Sequence, residues 1–181
     1  MHKTDSKPII VVENLAASFG SNIVLESVSF QVYKGEILVI VGESGCGKST
    51  LLKIMIGLQQ PSAGKVLFQG GDITAADEKE LNNYRQNIGV LFQSSALFSS
   101  MTLKENIALP LREYTNLDSA MISMIIKMKL GMVNLAGYEN HYPSELSGGM
   151  KKRAGIARAM ALDPIVLFLM NYPPDLIRLR P

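Results

Sequence analysis

The chain has 181 residues, of which 47% are hydrophobic and 19% are charged. This composition predicts one globular domain with a real core and argues against a disordered chain. The net charge of +2 is too small to indicate nucleic-acid binding, and the single cysteine excludes a disulfide framework and suits a reducing compartment. The polar N-terminus and the lack of a long apolar run predict a soluble chain, so that any membrane link goes through a partner.

The first half of the chain is predicted to alternate strands and helices. Strands are predicted at residues 9–12, 24–32, 36–41, 65–68 and 88–92, and helices at residues 48–57 and 78–84. Residues 36–41 (EILVIV) are the clearest strand, because a continuous apolar, β-branched run is typical of a buried parallel strand.

The second half is predicted to be mainly helical. Thr102 and Glu105 have the spacing of a capping box, which predicts a helix start. Helices are predicted at residues 103–112, 119–135 and 147–162, and a buried strand at residues 165–169. This order of elements predicts an α/β fold with an inserted α-helical subdomain.

The most specific motif is a glycine-rich segment between a predicted strand and a predicted helix. It matches the phosphate-binding P-loop and consists of Gly42, Glu43, Ser44, Gly45, Cys46, Gly47, Lys48, Ser49 and Thr50. Backbone N–H groups, the helix N-terminus and the Lys48 ammonium are expected to bind the β- and γ-phosphates of a nucleotide, and the Ser49 hydroxyl to bind Mg²⁺. Cys46 is expected to offer its backbone and not its thiol. The alternative is an ordinary glycine-rich turn.

A second motif, LSGGM, stands at the start of the predicted helix at residues 147–162. Ser147, Gly148 and Gly149 would place free N–H groups at a helix N-terminus, which is an anion-binding arrangement. The alternative is an ordinary N-cap serine. Two single residues are weaker candidates: Gln93 after the strand at residues 88–92, and Phe19 before Gly20. Taken alone, Gln93 could be a solvated loop residue and Phe19 a core residue.

Together these motifs resemble those of the ABC ATPases as far as Pro164. The resemblance implies a P-loop NTPase fold with a parallel core sheet, an antiparallel β-subdomain and an α-helical subdomain near residues 100–160. It implies ATP and Mg²⁺ as cofactors, with Gln93 joining Ser49 at Mg²⁺ and Phe19 stacking on adenine. Residues 147–149 would close over the γ-phosphate held by a second ATPase subunit in a head-to-tail dimer.

One subgroup is most similar, the ATPases of Mce-type phospholipid and toluene-tolerance transporters. The similarity lies in LFQSSALF at residues 91–98, in Asn106, in PLRE at residues 110–113 and in PSELSGGM at residues 143–150. It implies lipid transport, a membrane permease bound between Gln93 and Glu113, a peripheral location on the cytoplasmic face of the inner membrane, and no nucleic acid. A soluble ABC protein acting on DNA or ribosomes is the alternative.

The sequence departs from the family after Pro164, where an apolar strand should end in a catalytic Asp-Glu pair, followed later by a switch histidine. We expect an incomplete ABC ATPase domain at residues 1–168 and an out-of-frame tail at residues 169–181. A shifted reading of Met170–Tyr172 forces Glu and then Leu, and permitted codons continue as Ser-Thr-Gly-Leu-Asp, although the Leu stands where the family usually has Pro.

Two consequences follow from this departure. The catalytic glutamate and the switch histidine would be missing, so a truncated chain that does not hydrolyse ATP is an alternative function. The parallel sheet would lack a central strand, which predicts exposed apolar surface, marginal stability and aggregation.

Overall fold

The computed structural model describes residues 7–92 and 96–170. The chain divides into two compact units, Met1–Arg85 and Gln86–Pro181. Gln93 and residues 171–181, which hold most of the proposed out-of-frame tail, lie outside the described residues. The boundary predicted at residue 168 therefore stays a prediction.

An antiparallel four-stranded sheet dominates the first unit. Its order is β2-β1-β3-β4, with β1 at Ile10–Phe19, β2 at Asn22–Val32, β3 at Ala63–Phe68 and β4 at Gly71–Asp72. Alternate residues of β1, among them Ile10 and Val12, are buried, because successive side chains of a strand point to opposite faces. The sheet is the predicted antiparallel β-subdomain. Strand β1 continues beyond the predicted 9–12 to a turn at Gly20, where a φ of 61° suits glycine.

Two helices complete the first unit, α1 at Lys48–Met55 and α2 at Glu78–Gln86. The Tyr84 hydroxyl donates to the Met55 carbonyl oxygen at 2.5 Å, and burial raises the pKa of that hydroxyl. The Arg85 guanidinium donates to the Gly57 carbonyl oxygen at 2.8 Å. Helix α2 therefore binds the carbonyl groups at the C-terminal end of α1 and fixes that helix in place.

The prediction of a strand at residues 36–41 is wrong. These residues pair with no strand in the described part of the chain. Their apolar side chains are exposed, and Val41 reaches 83%. The physical reason is that an apolar run becomes a strand only when a partner satisfies its backbone groups, and pairing is not a local property.

The second unit combines a parallel strand pair with three helices. Strand β5 (Ile88–Leu91) pairs in parallel with β6 (Val166–Leu169). Helices α3 (Leu103–Tyr114), α4 (Ser119–Met132) and α5 (Gly148–Ala159) share one apolar core, and a short 3₁₀ helix at Pro143–Glu145 precedes α5. The capping box predicted at Thr102 and Glu105 is confirmed.

The predicted fold class is confirmed, with an antiparallel sheet, a parallel strand pair and a helical subdomain. Across residues 7–92 and 96–170, no helix has both the length and the apolar character needed to cross a membrane.

Candidate functional site

Two glycines of the P-loop, Gly45 and Gly47, have a positive φ. Gly47 is the N-cap of α1 with a φ of 93°, a left-handed conformation that side chains disfavour. A Cβ atom there would lie 2.8 Å from Leu25 Cδ2 and 2.9 Å from the Val24 carbonyl oxygen. Gly47 is thus required both by its conformation and by the close approach of β2. The loop rests directly on that strand.

Helix α1 presents a positive end at this loop. Its first internal bond joins the Leu51 N–H to the Gly47 carbonyl oxygen at 2.9 Å, so the N–H groups of Lys48, Ser49 and Thr50 have no partner one turn back. The first turn has no acidic residue. The helix dipole and these N–H groups favour an anion, and the exposed Ser49 hydroxyl lies at the same end.

The Lys48 side chain folds back across the loop. Its Nζ donates to the carbonyl oxygens of Gly42 at 2.7 Å and Glu43 at 2.6 Å, and it lies 3.5 Å from Cys46 Sγ. The ammonium is therefore held at the loop by two short, charge-assisted hydrogen bonds to carbonyl groups. A phosphate oxygen could replace these carbonyl groups without a rearrangement of the helix.

Phe19 is not a core residue, since 55% of it is exposed. It ends β1 and pairs with Asn22 across the turn, and Ala17 pairs with Leu25, the residue against which Gly47 packs. The hairpin that carries the aromatic ring therefore also supports the P-loop. This arrangement suits an aromatic platform better than the core role considered as the alternative.

The LSGGM motif opens α5 as predicted, although the helix begins at Gly148. Ser147 is the N-cap, and its Oγ accepts from the Met150 N–H at 3.3 Å. No acidic residue lies in the first turn, so this helix end also favours an anion.

Two glycines leave that helix end open. Cβ atoms added at Gly148 and Gly149 would meet nothing within 4 Å, and both residues are exposed. A glycine in a helix makes the helix less stable than an alanine would, by roughly 0.5–1 kcal/mol. Since a side chain would fit at both positions, the surroundings of Gly148 and Gly149 do not explain why glycine is present. Because these two residues carry no side chain, the backbone there is open to the close approach of another molecule.

The loop at residues 96–102 is held by Asn106, which is completely buried. The Asn106 side chain accepts from the Phe98 N–H at 2.8 Å and donates to the carbonyl oxygens of Phe98, Met101 and Thr102 at 3.0–3.1 Å. The family resemblance included Asn106, but the sequence did not predict this role. The signal was a polar residue on the apolar face that carries Leu103 and Ile107.

Arg158 holds the same loop from α5. Its Nη1 donates to the Ala96 carbonyl oxygen, and its guanidinium lies 4.7 Å from the centroid of the Phe98 ring. Burial lowers the pKa of this guanidinium. The contact joins residues 62 positions apart, so sequence reasoning had no local signal for it.

Strand β5 is also fixed to α5. A Cβ atom at Gly89 would lie 2.3 Å from the Ala159 carbonyl oxygen. The end of α5 thus presses on the strand before Gln93, and Arg158 holds the loop after it. Helix α5 therefore contacts both strand β5 and the loop at residues 96–98.

Comparisons with known proteins agree with these motifs. Residues 25–169 match the ABC transporter family. The chain is 48% identical over 158 residues to the probable ribonucleotide transport ATP-binding protein mkl of Mycobacterium leprae, and the match covers 87% of this chain and 46% of that protein. It is 45% identical over 161 residues to the intermembrane phospholipid transport system ATP-binding protein MlaF of Haemophilus influenzae, covering 88% and 61%.

A solved structure of an ATP-binding cassette is also similar to this chain. The dimeric, post-hydrolysis ATP-binding cassette MJ0796 bound to ADP and Pi has a TM-score of 0.80 and 32% identity, covering 88% of this chain and 72% of that one. This chain spans only 46% and 61% of the two curated relatives. The family match nevertheless covers most of its length, and the chain therefore belongs to the ABC transporter family as an ATPase domain.

Proposed function

We propose that this chain binds Mg-ATP at its P-loop as the ATP-binding subunit of an ABC transporter. The observation that carries the proposal is the P-loop, where Lys48 and the free N–H groups of α1 converge on one exposed loop. Lys48 would exchange its two carbonyl partners for phosphate oxygens, and Ser49 would hold Mg²⁺. Phe19 would stack on the base, and Gln93 is proposed as a further group at the metal.

Nucleotide binding can be tested with two single variants, each of which removes one positive charge from one end of α1. Lys48→Ala should abolish retention of Mg-ATP in equilibrium dialysis, because the ammonium at the phosphates is lost. Lys53→Ala removes an equally basic residue from the last turn of the same helix and should bind as the wild type does. Equal loss in both variants would contradict the proposed site, as would unchanged binding in Lys48→Ala.

Hydrolysis is proposed to take place between two ATPase subunits. The open surface at Gly148 and Gly149 supports this, since an anion site free of side chains can close over a phosphate held by another copy. The similar cassette MJ0796 is dimeric. ATP-dependent self-association, measured by sedimentation velocity, is the expected result, and a chain that stays monomeric at saturating ATP would contradict it.

Lipid is the proposed cargo, with a membrane permease as partner on the cytoplasmic face of the inner membrane. The support is the stretch from Gln93 to Glu113 and the 45% identity to a protein named for phospholipid transport. A similar relative is named for ribonucleotide transport, so the test must separate the two. Co-purification of the tagged chain with its permease, followed by mass spectrometry of bound lipid and nucleotide, should recover phospholipid.

A second candidate is a chain that binds ATP but does not turn it over. It is favoured by residues 165–170 (IVLFLM), which contain no carboxylate at the end of β6. Phosphate release measured beside ATP binding separates the two candidates. Binding without release supports the second candidate, and release that is lost in Lys48→Ala supports the first.

A further inference from the structure

Within residues 7–92 and 96–170, the exposed methionines lie on one helix. Helix α4 presents Met121, Met124, Met128 and Met132, which we call the methionine row, with exposed fractions of 53%, 74%, 50% and 59%. Elsewhere in residues 7–92 and 96–170 every methionine is half-buried or buried, namely Met55, Met101, Met150, Met160 and Met170. The row therefore holds four of the ten methionines in the sequence.

The methionine row is separate from the core face of its helix. At about 100° per residue, its spacings of three, four and four place the four side chains within an arc of about 80°. The buried residues Ile122, Ile126 and Leu130 lie on the opposite side and pack into the core of the helical subdomain. Packing therefore does not explain the row, and a change of polarity there would not reach the core.

We propose that the methionine row is a site of reversible oxidation by hydroperoxides. The thioether sulfur attacks the terminal peroxide oxygen, an S–O bond forms and the O–O bond breaks. Sulfur is oxidised by two electrons to the sulfoxide, and the peroxide is reduced and leaves as water or an alcohol. Methionine sulfoxide reductases reverse the reaction.

The chemistry changes the surface and leaves the fold intact. A sulfoxide is polar where the thioether is apolar, so four conversions replace an apolar stripe by a polar one. Buried Met55, which is 3% exposed, is protected because the oxidant must reach the sulfur. The modification is thus selective by geometry alone and does not depend on nucleotide binding.

The test is limited oxidation of the full chain with hydrogen peroxide, followed by peptide mapping by mass spectrometry. We expect oxygen uptake in the methionine row several-fold faster than at Met55, Met150 and Met160, with the far-UV circular dichroism and melting temperature unchanged. A methionine sulfoxide reductase should then remove the added oxygen from the row.

A matched variant replaces all four with leucine, M121L/M124L/M128L/M132L, which preserves helix propensity and apolar character. It should lose the fast phase of oxygen uptake and keep the slow one. Equal rates at the row and at Met55, Met150 and Met160 would overturn the proposal, as would loss of helical signal in step with oxidation of the row. Both readings come from the wild-type chain, so the test stands even where the variant folds poorly.

Discussion

At the scale of single residues, the loop at residues 96–102 depends on two polar side chains, Asn106 and Arg158. Asn106 makes four hydrogen bonds with no access to water, and Arg158 adds a bond to Ala96 and a contact with the Phe98 ring. Buried polar groups specify a conformation because each unsatisfied group is unfavourable by about 1–3 kcal/mol. The loop therefore has one favoured arrangement.

Asn106→Ala should lower the free energy of unfolding by about 1–3 kcal/mol, because the buried amide is lost and the Phe98 N–H and the Met101 carbonyl oxygen lose their hydrogen-bond partner. Urea unfolding measures the loss, and faster chymotrypsin cleavage at Phe98 would report the released loop. The control is Asn140→Ala, since Asn140 is exposed. Similar losses in the two variants would contradict the role assigned to Asn106.

Glu105 makes the stability of this region depend on pH. Its Oε2 accepts from the Thr102 N–H and from Thr102 Oγ1, both at 2.8 Å, and these two bonds lower the pKa of the Glu105 carboxyl. A carboxyl whose pKa is lower in the folded state stabilises the fold above its unfolded pKa of about 4.3. That contribution is lost as the pH falls through the folded value.

Glu105→Gln should therefore destabilise the chain at neutral pH and have a shrinking effect as the pH falls below about 4.3. Urea unfolding at a series of pH values tests this. The control is Glu26→Gln, on an exposed position of β2. A difference between wild type and Glu105→Gln that stays constant down to strongly acidic pH would show that the carboxylate charge is not responsible.

At the scale of elements, the two ends of α5 differ, since its first turn carries two exposed glycines and its last turn contacts β5 and the loop at residues 96–98. Gly148 and Gly149 lower the stability of the first turn of the helix. A Cβ atom at either position would contact nothing within 4 Å. Gly131 of α4 is also exposed and helical, and a Cβ atom there would likewise meet nothing within 4 Å. All three glycines therefore have room for a side chain, and they differ only in their position on the molecule.

Gly148→Ala and Gly149→Ala should each raise the free energy of unfolding by about 0.5–1 kcal/mol, because alanine favours the helix. Both should weaken ATP-dependent self-association, since a methyl group would intrude where a partner approaches. Gly131→Ala should stabilise equally and leave self-association intact. Thermal melts and sedimentation velocity measure the two effects, and unimpaired association in the first two variants would remove the glycine surface from the dimer proposal.

Elements with local signals were predicted well from the sequence. Helix α3 began where Thr102 and Glu105 indicated, and β6 (Val166–Leu169) lay within the predicted residues 165–169. Residues 36–41 failed because a strand needs a partner that is distant in the chain. The P-loop shape was foreseeable from its glycines, whereas Arg158 could not be, because its partner lies 62 positions away.

At the scale of the whole molecule, residues 37–41 form a continuous run of exposed apolar side chains. Five consecutive apolar side chains, from residue 37 to residue 41, are between 42% and 83% exposed. Contiguous apolar surface of this kind marks an interaction site or a tendency to aggregate. The aggregation expected from the sequence stays a prediction, and this run is the segment to which it can be traced.

The triple variant Ile37→Thr, Val39→Thr and Val41→Thr should remain soluble at higher concentration and bind less of the dye ANS. Threonine retains β-branching while removing apolar area, and exposed positions tolerate substitution to within about 0.5 kcal/mol. The control is Ile23→Thr with Leu58→Thr, two exposed apolar residues outside the run. Light scattering against concentration measures the effect, and an equal gain in the control would contradict the assignment to residues 37–41.

The position of the Lys48 ammonium has a consequence for the kinetics of nucleotide capture. Because the Gly42 and Glu43 carbonyl oxygens already hold Nζ at the loop, ordering of this long side chain precedes the encounter with nucleotide. Immobilising such a side chain on binding is unfavourable by about 0.5–1.5 kcal/mol, and preorganisation removes much of that term. Association should therefore be governed by diffusion and long-range attraction, and its rate should fall as ionic strength rises.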